Sequence, residues 1–336
     1  MSAASNRQVL LARRPCGIPQ AEDFTIVQTP PPALGEGLVM VENQFLSVEP
    51  AMRGWLAATA NYAKPIQVGD VMRSLASGKV VASRSDAYQP GDLVTGWFGW
   101  QDMAAVPPQD IVRKVTETDL PLSLSLGVLG LNGITAYLAL TRAGEPRAGE
   151  TVVVSTAAGA VGSVVGQVAR LLGCKAIGIT SSQAKMDLCT SAFGYTQAIN
   201  YTNEDVSARL KEMCPEGLDV YFDNTSGPIS DAVRANLAAG ARIVVCGTAS
   251  IASWEPAPTG PRVERDLLVK RARMQGFLAF DHVDRYEATI RQLVDWIRSG
   301  DLTWREDVLQ GFESCPDAIA GLYRGENMGK RIVQIR

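Results

Sequence analysis

An α/β chain, with a doubly wound parallel sheet of the Rossmann kind beside a mainly β module, is the fold class this sequence predicts. Three observations carry it. Residues 151–173, TVVVSTAAGAVGSVVGQVARLLG, pass from a β-branched run through a small-residue turn into an apolar helix that stops at Gly173. A second apolar run, Lys175–Thr180, completes a βαβ unit of about 30 residues. Downstream, helix and strand patterns keep alternating, whereas the first 120 or so residues hold short alternating runs separated by turns such as Pro90-Gly91-Asp92.

In chain order, the expected strands of the β module are 37–43, 68–72, 77–82 and 92–97. A helix over 134–140 then opens the α/β part. After the βαβ unit come helices over 185–193, ending at Gly194, and over 206–213. A strand at 220–223, a helix at 230–237 and a strand at 242–246 continue the alternation. Residues 285–298 form an amphipathic helix, with Tyr286, Ile290, Leu293, Val294 and Ile297 at helical spacing. A last strand, 331–335, is expected to rejoin the β module. The domains expected are therefore 1–128 with 300–336, mainly β, and 129–299, nucleotide-binding.

The turn at 155–162 carries the chemistry. Glycine lets backbone approach phosphate closely, and free N–H groups at a helix start point at an anion. Gly159, Gly162 and Gly166 supply the small positions, although Ala157 stands where a full G-x-G-x-x-G has its first glycine. A tightly packed βα turn without ligand would show the same pattern. The end of the second strand separates the coenzymes. A site for NAD usually offers a carboxylate there to bond the ribose 2′-hydroxyl. This chain has Thr180-Ser181-Ser182 and then Lys185, hydroxyls and a cation suited to a 2′-phosphate. NADPH is the coenzyme expected, the alternative for Lys185 being a solvated lysine near a helix start.

Composition excludes other classes. The chain has 336 residues, one fifth of them charged, and a formal net charge of −3, which argues against disorder and against a nucleic-acid footprint. Arg7, Arg13 and Arg14 have no apolar run behind them, so no signal peptide is expected. The uncharged stretches 120–141 and 151–169 are read as buried segments of a soluble fold, because one holds Pro121 and Asn132 and the other is the βα turn. The six cysteines form no C-x-x-C pair and suggest reduced thiols in the cytoplasm. With a single histidine, His282, no zinc ligand set is evident and no metal is expected.

Taken together, several short motifs resemble the medium-chain dehydrogenase/reductase superfamily. They are Ser47-Val48-Glu49-Pro50 with Met52-Arg53, Gly91-Asp92-Leu93-Val94, LNGITAY at 131–137, AAGAVGSVVGQ at 157–167, Ile199-Asn200-Tyr201, Asp223-Asn224, Cys246-Gly247, Gly276-Phe277-Leu278 and GENMGK at 325–330. Within it the chain is similar to the zinc-free branch of prostaglandin (leukotriene B4 12-hydroxydehydrogenase), curcumin and plant alkenal double-bond reductases. The resemblance implies a GroES-like β domain beside the Rossmann domain. It implies that Gly159, Ala160, Val161 and Gly162 cradle a pyrophosphate, and that Lys185 and Tyr201, with Ser181, hold the 2′-phosphate. It further implies that Asn224, Cys246, Gly247, Thr248, Phe277, Leu278 and Asn327 line the ribose and nicotinamide. Two departures stand out: Glu49 and Ala51 replace the Asp and Tyr of D-P-Y-M-R, and Ala252 stands where a substrate-facing tyrosine is common.

The activity implied is NADPH-dependent reduction of the activated C=C bond of an enal or enone, with hydride delivered to the β-carbon. Quinone reduction, alcohol dehydrogenation and NADPH binding with little turnover are the alternatives. No acid–base histidine or paired carboxylates are evident. The candidate donors to the developing enolate are Tyr62, Ser250 and the coenzyme ribose, with Arg53 either a donor or structural. Trp97 and Trp100 either wall an apolar pocket or pack in a core. Relatives pair through edge strands, which implies a homodimer with its edge near 270–278.

Overall fold

The computed structural model describes residues 5–58, 63–251 and 256–336. The chain divides into two compact units, one formed by 1–127 with 306–336 and the other by 128–305.

The first unit begins with strands β1 (Asn6–Leu11), β2 (Phe24–Thr29) and β3 (Val39–Ser47), a short helix α1 (Ala51–Leu56), and strands β4 (Ala76–Ser83), β5 (Leu93–Gly96), β6 (Met103–Val106) and β7 (Ile111–Lys114). The second unit carries α2 (Leu131–Leu138), β8 (Thr151–Ser155), α3 (Gly162–Leu171), β9 (Lys175–Thr180), α4 (Gln183–Ala192), β10 (Gln197–Asn200) and α5 (Val206–Met213). It continues with β11 (Leu218–Asp223), α6 (Gly227–Arg234), β12 (Leu237–Val245), α7 (Glu264–Lys270), β13 (Arg273–Gly276) and α8 (Tyr286–Ser299). The chain then returns to the first unit with β14 (Glu306–Gln310), α9 (Cys315–Tyr323) and β15 (Lys330–Gln334).

In the first unit the main sheet runs β14-β15-β3-β4-β5-β7, with β6 also paired to β3 and β1–β2 forming a separate antiparallel hairpin. Its core includes Val41, Leu46, Met52, Val80, Phe98, Trp100, Phe312 and Val333. Trp100 is fully buried and its indole N–H donates to the Ser47 carbonyl at 3.0 Å, so it is a core tryptophan. Trp97 is half-buried, edge-on to Trp55.

In the second unit six parallel strands run β10-β9-β8-β11-β12-β13. The two central neighbours, β8 and β11, are where the winding direction reverses, the position at which such sheets open a ligand crevice. Val153, Ile177, Ile199, Tyr221 and Ile243 on successive strands are buried together, as expected of parallel strands covered on both faces.

The expectations for 206–213 and 175–180 match the observed elements residue for residue. Elsewhere the structure corrects them. Residues 67–70 form a turn, not a strand: Gly69 takes φ +92° and the Asp70 carboxylate accepts the Gln67 N–H at 3.0 Å, leaving only a single bridge between Leu10 and Val71. The helix expected at 134–140 starts at Leu131 and widens after Leu138 into a π-helical segment, Ala139–Gly144. The helix expected at 230–237 runs Gly227–Arg234, and Leu237 already belongs to β12. That strand starts early because Gly240, at φ +78°, absorbs a register shift between the Leu218–Leu237 and Val220–Arg242 pairs. It also stops at Val245, leaving Cys246 in the loop beyond.

Candidate functional site

The glycine turn packs as the βα geometry demands. Thr156 takes φ +54°, a left-handed conformation that costs a β-branched residue on the order of 1–3 kcal/mol. Its carbonyl accepts the Gly159 N–H at 2.9 Å, and a Cβ on Gly162 would lie 2.8 Å from the Ala157 Cα. Helix α3 therefore starts as close to the end of β8 as backbone permits, with its first-turn N–H groups at the carboxyl edge of the sheet. Behind it, Tyr195 fills the groove between helix and strand. Its hydroxyl donates to the Gly162 carbonyl at 2.6 Å, and a Cβ on Gly166 would lie 2.5 Å from its Cζ.

At the end of β9, Ser182 caps α4 by accepting the Lys185 N–H. Lys185 is buried, and its ammonium lies 3.3 Å from the Ser181 hydroxyl. Tyr201, just past β10, is 44% exposed. These three residues sit at the carboxyl ends of the two adjacent strands β9 and β10. Their donor set, a cation and two hydroxyls with no carboxylate in Thr180–Ser182, suits a phosphate on the adenosine side.

On the other side of the reversal point, Asn224 is held twice by Ser155: its N–H donates to the Ser155 hydroxyl at 2.8 Å and its side-chain amide to the Ser155 carbonyl at 2.7 Å. The N–H groups of Cys246 and Gly247 both donate to the Asp223 carbonyl, at 2.8 and 3.0 Å. A Cβ on Gly247 would meet the Asn224 carbonyl oxygen at 2.7 Å, so the two loops touch through backbone. Thr248 is half-buried beside them. Burial, reinforced by the Asp223 charge, pushes the Cys246 thiol up to about 12, which favours its neutral form. Phe277, whose N–H donates to the Val245 carbonyl, is buried and stacks on His282 at 4.9 Å between ring centroids; Leu278 beside it is exposed. His282 thus has a packing partner that its sequence context did not suggest.

All the second-unit candidates (Gly159, Ala160, Val161, Gly162, Ser181, Lys185, Tyr201, Asn224, Cys246, Gly247, Thr248, Phe277 and Leu278) therefore lie along the carboxyl edge of one sheet. The candidate Asn327 belongs to the first unit, where its amide donates to the Gly329 carbonyl at 3.0 Å. Among the proposed donors, the Ser250 hydroxyl lies 2.8 and 2.9 Å from the carbonyls of Thr225 and Ser226, and so ties backbone together. Arg53 lies over the Tyr323 ring at 4.7 Å, and Tyr323 in turn bonds the Pro50 carbonyl. Tyr62 and Ala252 lie outside the described residues.

Sequence reasoning quoted the residues of two polar centres within motifs but gave them no role. In the first unit, the buried Lys330 ammonium donates to the Ser47 hydroxyl (2.7 Å), the Val48 carbonyl (2.9 Å) and the Glu49 carboxylate (2.7 Å). It anchors the segment leading into α1 and explains why an acid is needed at position 49. Burial pushes this ammonium down while Glu49 pulls it up. In the second unit, the centre is Asp223, which is 1% exposed and accepts from Tyr221, Thr225, Ser226 and Ser230. An aspartate ending an apolar strand was the available signal for it. Among the described residues no group of three or more metal-ligating side chains comes together, and no helix is long and apolar enough to cross a membrane.

Comparison with known proteins places this geometry. Residues 7–114 match the N-terminal domain of an oxidoreductase family, and 160–299 match the family described as zinc-binding dehydrogenase. The chain is 43% identical to YfmJ of Bacillus subtilis (strain 168), over 99% of this chain and 98% of that protein. It is 38% identical to the NADP(+)-dependent 2-alkenal reductase of Nicotiana tabacum, over 98% of each. The crystal structure of CurA from Vibrio vulnificus in complex with NADPH superposes with a TM-score of 0.92 at 37% identity, covering 98% of this chain and 99% of that one. A glycine turn at a reversal point, hydroxyls and a lysine in place of the NAD carboxylate, and full-length likeness to these proteins lead to one conclusion: the chain belongs to the medium-chain dehydrogenase/reductase superfamily, in the branch of prostaglandin, curcumin and alkenal reductases, and is an NADPH-dependent oxidoreductase.

Proposed function

We propose that the chain reduces the activated C=C bond of an enal or enone. The observation that carries this reading is its likeness, over 98% of both chains, to an enzyme named for 2-alkenal reduction. The bound coenzyme supplies a hydride. In this reading Gly159, Ala160, Val161 and Gly162 receive the pyrophosphate on the positive end of α3. Ser181, Lys185 and Tyr201 neutralise the 2′-phosphate, and Asn224, Cys246, Gly247, Thr248, Phe277 and Leu278 fix which face of the ring is presented.

Charge developing on the substrate carbonyl oxygen needs hydrogen-bond donors held in place beforehand. Ser250 is committed to backbone carbonyls and Arg53 lies over the Tyr323 face, which leaves Tyr62 and the coenzyme ribose as the candidate donors to that oxygen; water is the proton source proposed for the α-carbon. A second copy of the chain is proposed to pair along β13, the edge strand of its sheet, where Leu268 and Val269 on the neighbouring helix are 78% and 57% exposed. Cytoplasmic residence accompanies this reading.

The test is product analysis with purified protein, NADPH and a panel of 2-alkenals, enones and quinones. A saturated product with its carbonyl intact is expected. An allylic alcohol would move the assignment to carbonyl reduction, a hydroquinone to quinone reduction, and absence of NADPH oxidation with every member would reject the reading.

A further inference from the structure

Asp223 is an unusual terminus for a buried strand. Its carboxylate is buried, and among the described residues the donors that reach it are all neutral. One oxygen accepts the backbone N–H groups of Thr225 (3.0 Å) and Ser226 (2.8 Å), the Tyr221 hydroxyl (3.0 Å) and, more weakly, the Thr225 hydroxyl (3.4 Å). The other accepts the Ser230 hydroxyl. Its backbone carbonyl takes the N–H groups of Cys246 and Gly247 from the next strand's loop. A single residue thus ties together the loops that follow β11 and β12.

What it holds is strained. Ser226 sits at φ 57°, ψ −165°, a region open essentially to glycine alone, and Gly227 follows at φ +63°. Such a conformation persists only where its surroundings over-determine it. Here they do: the Ala249 and Ser250 N–H groups donate to the carbonyls of Asn224 and Thr225 (3.3 and 3.0 Å), the Ser250 hydroxyl to those of Thr225 and Ser226, and the Ser226 hydroxyl to that of Gly247 (3.3 Å). Asn224, on the opposite flank, is pinned to the end of β8. The loop is one connected plate across the carboxyl ends of β8, β11 and β12. The phosphate-binding residues Ser181 and Lys185 stand apart from it, at the end of β9. In a doubly wound sheet the two halves of a dinucleotide spread to either side of the reversal point, and the plate lies on the nicotinamide side.

We infer that Asp223 is a positioning residue for the nicotinamide half of the coenzyme: its carboxylate holds residues 224–226 in a high-energy backbone shape, so that the edge facing the ring and its ribose is built before the coenzyme arrives. The inference needs the coenzyme but not the proposed alkene.

The test uses calorimetric titration of the full chain with two probes, NADPH and 2′-phosphoadenosine 5′-diphosphate, which lacks the nicotinamide and its ribose. Asp223→Asn keeps shape but weakens the ties to both backbone N–H groups. It is expected to bind NADPH about tenfold more weakly, a loss of about 1.4 kcal/mol, while binding the shortened probe within about twofold of the wild type. Adding Ser226→Gly lets the backbone adopt the same shape without strain, and NADPH affinity is expected to return to within about threefold. Equal weakening of both probes, unchanged NADPH affinity, or no recovery in the double variant would overturn the inference. A measurement on the wild type stands independently of whether the variants fold. Without coenzyme, the Thr225 and Ser226 amides are expected to exchange hydrogen at least 100-fold more slowly than an unstructured chain; exchange at the unstructured rate overturns the inference as well.

Discussion

Replacing Gly166 by alanine tests how closely helix α3 is packed on its sheet. Gly166 lies inside α3, one turn from the start, where alanine by intrinsic preference would stabilise a helix by about 1 kcal/mol. The structure predicts the opposite sign. The added Cβ would lie 2.5 Å from the Tyr195 Cζ and 2.7 Å from the Phe193 carbonyl oxygen, both well inside van der Waals contact. Neither neighbour yields easily. Tyr195 is 3% exposed, and its hydroxyl is tied to the Gly162 carbonyl at 2.6 Å. Relieving the overlap costs about 1–3 kcal/mol as overpacking. Retreat of the ring also strips a buried hydroxyl of its acceptor, which adds about 1–3 kcal/mol. After the propensity gain, the net loss is about 1–5 kcal/mol, a fall in melting temperature of roughly 2–20 °C for a unit of this size. Differential scanning calorimetry of the coenzyme-free protein measures it. Shortening Tyr195 to leucine in the same chain is expected to recover at least about 1 kcal/mol relative to additivity, since the two sites are in contact. A Gly166→Ala protein that melts at or above the parent temperature would refute the packing argument, since only an open helix face could accept the methyl group.

Two further outcomes follow from the same unit. Lys185→Ala is expected to weaken NADPH binding about 10–100-fold, the worth of a charge-assisted hydrogen bond of about 1.5–3 kcal/mol, and to leave NADH within about threefold; an unchanged NADPH/NADH ratio in competition titrations removes the lysine from the phosphate site. Burial pushes the Cys189 thiol up to about 12 from an ordinary 9.0. Because the folded value is raised, the unfolded chain loses its proton first. The stability associated with this thiol is therefore complete below pH 9 and declines above it by about 1.4 kcal/mol per pH unit until about pH 12. In urea unfolding between pH 8 and 10.5, Cys189→Ala should show a correspondingly flatter alkaline decline; parallel curves would contradict it.

The parts of the fold legible in the sequence are those governed by local pattern. Residues 175–180 are apolar on both faces, as a covered parallel strand must be, and 206–213 repeat every three to four positions behind an Asp205 cap, so both elements emerge at their true limits. The glycine spacing and the absence of an acid after β9 likewise sit within one stretch of chain, which is why the coenzyme could be read there. Elements whose limits depend on partners were misplaced. Strand β12 begins five residues earlier than its own pattern suggests, because pairing to β11 across the Gly240 shift recruits Leu237, and Val68 to Asp70 turn because Gly69 and the Asp70 carboxylate outweigh their alternation.

The site divides in the same way. Lys185 and Ser181 are four residues apart, and a cation beside a hydroxyl can be read there without a fold. Lys330 gains its role only when distant segments meet, since its partners at residues 47–49 are more than 280 positions away, whereas the carboxylate partners of Asp223 lie within seven residues and only its carbonyl reaches the loop after β12. The sequence alone determined the class of fold and the charge of the ligand, because periodicity and net local charge are properties of neighbours along the chain. Which buried lysine would brace a loop, which tyrosine would fill a glycine groove and which serine hydrogen would be committed to backbone were decided by tertiary structure. Each of these depends on hydrogen bonds and contacts of a few ångströms between groups that the linear order keeps apart.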